Sequence, residues 1–196
     1  VMARLLWSIY LGLTVVLVVL LRVGGMGWFD ALCHSMATVA TGGFSTRQAS
    51  VAAWQSPFIE YVIAAGMLLS AINFSLYFSA LKGRPGKVWR DEETRWFLTS
   101  VAVVTAVIAA MLVWQRDYGV EQAFRSALFQ VASLHTSTGF GTDDYMQWPP
   151  LTWILLVYAM LAGGCTGSTS GGIKALRLVI LAKAIRNHLR RMLHPN

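Results

Sequence analysis

The ten residues from Gly163 to Gly172, GGCTGSTSGG, are Gly, Ser or Thr except for Cys165, and they lie inside an apolar stretch long enough to cross a bilayer. Between Trp148 and Ile173 no side chain is charged, yet five glycines interrupt helix formation at what would be membrane depth. Backbone groups left unpaired in hydrocarbon are costly, so a break of this kind persists only where it is buried in protein or lines a water-filled path. The stretch is expected to line a pathway.

With 56% hydrophobic and 13% charged residues in 196, the chain falls in the polytopic membrane class rather than among soluble globules. Four uncharged runs mark expected spans: Leu5 to Leu21, Tyr61 to Leu81, Trp96 to Gln115 and Trp148 to Ile173. The segment from Lys82 to Arg95 carries five basic residues and the tail from Lys174 to Asn196 carries six with no acid. With Arg4, 12 of the 16 basic residues fall on one side of the membrane and 6 of the 9 acids on the other, which places both chain ends in the cytoplasm. This bias accounts for the net charge of +7, so nucleic acid is not an expected partner.

Cys33 and Cys165 sit in apolar surroundings without metal-ligand spacing and read as small packing residues. Leu5 to Leu21 is too long for a signal-peptide core and lacks a small-residue cleavage site. The start at Val1 rather than Met suggests a piece of something longer. No nucleophile, base and orienting group come together in the sequence, so an enzyme is not expected.

The segments joining the first to the second span and the third to the fourth share a pattern. Trp28 to Ala40 runs into Thr41-Gly42-Gly43-Phe44-Ser45-Thr46, and Ala123 to Ser137 runs into Thr138-Gly139-Phe140-Gly141-Thr142. An offset of 97 places Thr41 on Thr138 and Gly42 on Gly139, with a gap of about two residues upstream, as in an internal repeat. A helix of roughly 12 residues cannot cross the membrane, so each is expected to dip in and stop with its carbonyl end facing the Thr-Gly segment. That end carries partial negative charge and favours a cation. Glycine permits the positive φ values that let successive carbonyls face one axis and replace the water shell of an ion.

The strings ATVATGGFSTR and TSTGFGTDD, followed by GGCTGSTSGGIK and a tail ending in RMLHPN, resemble the Trk/Ktr/HKT superfamily of potassium transporters, specifically bacterial pore-forming subunits of the TrkH/TrkG type. The resemblance covers essentially the whole chain, which is similar to the second and third of four family repeats around one pore. It implies an all-α membrane fold of two membrane-helix, re-entrant pore helix, filter loop and membrane-helix units. Residues 1–90 would form the first unit, and residues 91–196 the second, with its broken last helix and basic cytoplasmic tail.

The resemblance also implies site residues. Gly42 and Gly139 match filter glycines, with Ala40, Thr41, Gly43, Ser137, Thr138 and Phe140 beside them holding potassium through backbone carbonyls. Gly163, Gly164, Cys165, Thr166, Gly167, Ser168, Thr169, Ser170, Gly171 and Gly172 match an intramembrane gating loop, followed by Lys174. The implied setting is a bacterial inner membrane and the implied activity potassium uptake, with potassium as the transported ion and no organic cofactor. The implied partners are the missing pore repeats, a homodimer mate and a cytoplasmic nucleotide-binding regulatory subunit.

Each feature has a plainer reading. The Thr-Gly segments would serve as ordinary turns, and GGCTGSTSGG as a small-residue face for helix packing. A phosphate loop fails, because Lys174 does not directly follow the last glycine and no Ser or Thr comes after it. Glu60, Asn73 and Tyr158 are polar groups in or beside apolar spans. His34 and His135 occupy the two short helices at different distances from the Gly step, and Asp143 and Asp144 follow the second segment on the outer side. Arg177, Lys183, Arg186, Arg190 and Arg191 suit an anionic lipid surface or a regulatory subunit equally. The rival to a partial pore is a non-conducting assembly or interaction subunit; a transporter of another solute built from inverted repeats is the third reading.

Overall fold

The computed structural model describes residues 2–83, 86–116 and 118–193. Arg84 and Asp117, which enter the charge argument above, lie outside them. The described residues form helices joined by loops, with a single isolated β-bridge among them, between Ala162 and Ile173.

The first half opens with α1 (Met2–Val23). It ends at Gly24-Gly25, where Gly25 takes φ 100° and Arg22, in the last turn, bonds the Met26 carbonyl at 3.0 Å. The short helix α2 (Trp28–Val39) follows, then α3 (Pro57–Ser70), started by Pro57 in its first turn, and α4 (Phe74–Leu81). Gly66 lets α3 lie close to its neighbours, since a Cβ there would stand 2.9 Å from side-chain atoms of both Leu17 and Thr38.

A short helix α5 (Gly86–Arg90) leads to α6 (Glu92–Arg116), whose first turn is capped by Asp91 Oδ2 accepting from Thr94 N at 2.8 Å. At 25 residues α6 is roughly 37 Å long, sufficient to cross the hydrocarbon layer. Then come α7 (Val120–His135), α8 (Pro150–Leu161) and α9 (Ala175–Leu193).

Phe97, Val101, Val104, Ile108 and Leu112 form one buried stripe of α6 at helical spacing, packed with Ala123, Ala127 and Val131 of α7 and Leu156 of α8. A second core joins the halves of the chain: Ile59, Ile63 and Met67 of α3 pack with Phe129, Ala132 and Phe140. The outward faces of α1, α6 and α8, among them Leu11, Val15, Val103, Ile154 and Val157, are apolar and exposed, which suits lipid rather than water.

Two of the four expected spans are not continuous helices. The run from Tyr61 to Leu81 breaks at Ala71–Asn73, and α3 and α4 meet at 95°. The run from Trp148 to Ile173 yields only the 12 residues of α8 before the Gly-rich loop, and α9 resumes beyond it. Among the described residues, two helices are long and apolar enough to cross a membrane, or three if the bent pair is one span.

Candidate functional site

Both short helices end in the same backbone motif. Ala40 caps α2; Thr41 follows with φ 50°, its N–H bonds Thr38 O at 3.1 Å, and Gly42 N–H bonds Ala37 O at 2.8 Å. Thr136 caps α7; Ser137 follows with φ 59°, its N–H bonds Leu134 O at 3.0 Å, and Thr138 N–H bonds Ser133 O at 2.8 Å. These are Schellman ends with a Thr and a Ser in the left-handed position usually held by glycine, each costing about 1–2 kcal/mol. Gly43 at φ 68° and Gly139 at φ 89° come two residues later.

The backbone pattern therefore recurs at an offset of 96, not the 97 expected from the Thr-Gly pairs. Gly43 is the counterpart of Gly139, and Gly42 of Thr138. The helix starts, capped by Gly27 and Gly119, are four residues further out of step, because α7 has 16 residues and α2 has 12. The sequence signal for the true register is the Gly-Phe pair, Gly43-Phe44 and Gly139-Phe140.

This geometry directs carbonyls. In a planar trans peptide the C=O points opposite to the N–H. Because Gly42 and Thr138 turn their N–H groups back onto the helix ends, the carbonyls of Thr41 and Ser137 point away from them. Among the described residues, the carbonyls of Thr41, Gly42 and Gly43, and of Ser137, Thr138 and Gly139, accept no hydrogen bond from the protein. The two segments also abut: a Cβ on Gly43 would lie 2.0 Å from Thr138 O.

The segments are braced from behind. Buried His34 bonds Asp30 O at 2.8 Å and Ser45 Oγ at 2.9 Å, and Phe140 stacks on its ring at 5.6 Å. Thr46 Oγ1 donates to Asp30 at 2.6 Å, which holds that carboxyl below the usual range. Gln130, the counterpart of His34, bonds Asp143 O at 3.0 Å, and Ser133 Oγ donates to Phe140 O at 2.6 Å. His135 lies between helices, 3.1 Å from Ala159 O and 3.2 Å from Ser100 Oγ, which itself meets Tyr158 OH at 3.1 Å. Glu60 pairs with Arg125 at 2.7 Å, tying α3 to α7, and Arg125 also reaches Glu121 at 2.9 Å.

The Gly-rich loop leaves α8 and returns beside its own start. Gly163 N donates to Ile173 O at 2.9 Å and Ile173 N to Leu161 O at 3.0 Å. At this neck a Cβ on Gly163 would stand 2.1 Å from Gly171 O, so a side chain there has no room. Within the loop Ser170 Oγ accepts from Gly164 N at 2.9 Å, Ser168 Oγ donates to Cys165 O at 2.6 Å, and Lys174 Nζ folds back onto Ser170 O.

Outside itself, the loop meets both Thr-Gly segments and the broken span. Thr169 Oγ1 donates to Val39 O at 2.8 Å, and Thr41 Oγ1 donates to Thr169 O at 2.9 Å. A Cβ on Gly171 would be 3.2 Å from the Ser137 side chain. Cys165 N and Thr169 N donate to Ala71 O and Ser70 O at 2.9 and 3.4 Å, and Phe74 N donates to Gly167 O at 3.2 Å. The two breaks thus satisfy each other's backbone. Asn73 caps α4 by accepting from Ser75 N at 2.9 Å.

Sequence reasoning passed over Glu93, whose Oε1 accepts from Thr166 N at 2.6 Å. Its place in an acidic run at a helix start gave no sign of burial. No group of three or more potential metal-ligating side chains is found among the described residues.

The family model described as TrkH, cation transport protein, matches residues 1–196. The Trk system potassium uptake protein TrkH of Escherichia coli K12 is 42% identical over 99% of this chain and 41% of its own length. The TrkG protein of the same organism is 36% identical over 98% of this chain and 40% of its own length. The crystal structure of the potassium transporter TrkH from Vibrio parahaemolyticus superposes with a TM-score of 0.95 at 37% identity, over 100% of this chain and 42% of that one. This chain spans about two fifths of the length of these relatives. It belongs to the TrkH cation transport protein family.

Proposed function

We propose that this chain supplies two of the four walls of a potassium-uptake pathway in a bacterial inner membrane, with both chain ends cytoplasmic. Potassium, the transported ion, is held by backbone carbonyls of Ala40 to Gly43 and Ser137 to Phe140. The observation that carries the reading is the pair of matched helix ends, where the carbonyls of Thr41 to Gly43 and Ser137 to Gly139 accept no hydrogen bond within the described protein, side by side at Gly43 and Thr138. Carbonyls left unpaired inside a membrane need a polar occupant, and a dehydrated cation fits. The relatives named as potassium uptake proteins support that ion.

Incomplete contacts support two further walls. Phe140 is buried on His34, whereas its counterpart Phe44 is 83% exposed. Gly43 abuts the other segment, whereas nothing lies within 4 Å of a Cβ on Gly139. The α6–α7 pair receives α3, whereas the corresponding α1–α2 pair leaves an open apolar groove of about 680 Å³, lined by Leu11, Val15, Trp28, Leu32 and Met36. The missing pore repeats would fill these places. The loop from Gly163 to Gly172, with Lys174, sits where a gate would act on both segments. A homodimer mate and a cytoplasmic nucleotide-binding regulatory subunit complete the proposal, with basic α9 as the contact for the regulator.

The test is rubidium uptake into liposomes by the full natural protein and by Gly139→Asp. At φ 89° any side chain is strained, aspartate less than most, so uptake is compared per amount of folded protein. Loss of uptake at normal protein yield is expected. Uptake at the unmodified rate would remove the filter reading and favour an assembly role.

A further inference from the structure

Glu93 has no part in holding an ion, yet one of its oxygens joins the Gly-rich loop to the helix that follows. It lies in the first turn of α6 and is 7% exposed. Oε1 accepts from Thr166 N at 2.6 Å, Thr166 Oγ1 at 3.0 Å and Leu176 N at 3.0 Å. Thr166 belongs to the loop, while Leu176 is in the first turn of α9, where unpaired N–H groups carry partial positive charge. The adjacent Glu92 pairs with Lys183 of α9 at 2.5 Å, and Asp91 caps the end of α6 that carries both acids.

We propose that Glu93 is a positioning residue, a clasp that fixes the loop to the first turn of α9 so that the two move together. Its regulatory consequence rests on the reading of the loop as a gate: withdrawing α9 from α6 would strip Leu176 from the shared oxygen and loosen Thr166 with it. Glu93→Gln keeps the shape and an acceptor oxygen but loses the charge that makes these bonds strong.

Cys165, fully buried and next to Thr166, is a built-in reporter. In the full natural protein in liposomes, with Cys33 and any other cysteine replaced, the rate of Cys165 modification by a water-soluble methanethiosulfonate reagent is measured beside rubidium uptake. Glu93→Gln should raise the modification rate about tenfold, the weight of weakening its charge-assisted bonds to neutral ones. It should also raise unstimulated uptake and leave the half-saturating rubidium concentration unchanged. Leu112→Ala, which weakens the α6 core about 28 Å along the helix from Glu93, serves as the control for general destabilisation. An unchanged Cys165 rate in Glu93→Gln, or an equal rise in Leu112→Ala, would overturn the clasp. A raised rate with unchanged uptake would support the clasp and remove the gate role from the loop.

Discussion

Gly43→Ala should damage this protein far more than Gly42→Ala, although the two glycines are adjacent. At Gly43 the new methyl would lie 2.0 Å from Thr138 O and 2.9 Å from Thr138 C. Both are backbone atoms, so no side chain can rotate away, and the second segment would have to retreat by about 1.4 Å to reach ordinary contact. A left-handed φ of 68° adds about 1–2 kcal/mol for any residue with a Cβ. Together with roughly 1–3 kcal/mol for overpacking, the cost comes to about 3 kcal/mol. At Gly42 φ is not positive and the methyl meets Phe44 Cδ2 at 3.4 Å, an ordinary contact, so a change within about 0.5 kcal/mol is expected. Thermal denaturation of the purified full protein, followed by tryptophan fluorescence, and rubidium uptake measure both variants. Gly43→Ala should lose uptake and several degrees of stability while Gly42→Ala retains both. Equal damage from the two, or tolerance of both, would refute the register and the close approach at Gly43.

Removing one partner of the Glu60–Arg125 pair should cost about 3 kcal/mol, whereas Glu60→Leu with Arg125→Met should recover most of the loss; thermal midpoints of the two single variants and the double variant decide this. Thr169→Val keeps the side-chain shape but removes the donor to Val39 O and Ser70 O, so it should destabilise by about 1–2 kcal/mol and raise passive rubidium leak. An unaltered leak would argue against the loop as a barrier. Asn73→Ala removes the α4 cap and should cost about 1 kcal/mol, read as a lower thermal midpoint at unchanged half-saturating rubidium.

The apolar spans and the glycine break between α8 and α9 were legible in the sequence because each depends on local composition. The bend between α3 and α4 was not, since Ala71-Ile72-Asn73 contains neither Gly nor Pro. It is stabilised by donors from Cys165 and Thr169, far along the chain. The repeat register differs from the Thr-Gly alignment because both segments contain Thr-Gly and that pair outweighs the Gly-Phe pair, which matches the positive φ of Gly43 and Gly139. Glu60 was visible as a polar residue at a span edge, but its partner, Arg125, is supplied by α7. Glu93 was hidden within an Asp-Glu-Glu run that reads as a solvated helix start.

Anomalous diffraction from crystals of the full natural protein grown or soaked in rubidium most directly tests whether the two segments line one ion path. Rubidium density is expected between the carbonyls of Thr41 to Gly43 on one side and Ser137 to Gly139 on another. Density confined to other parts of the molecule, with none between these segments, would contradict it.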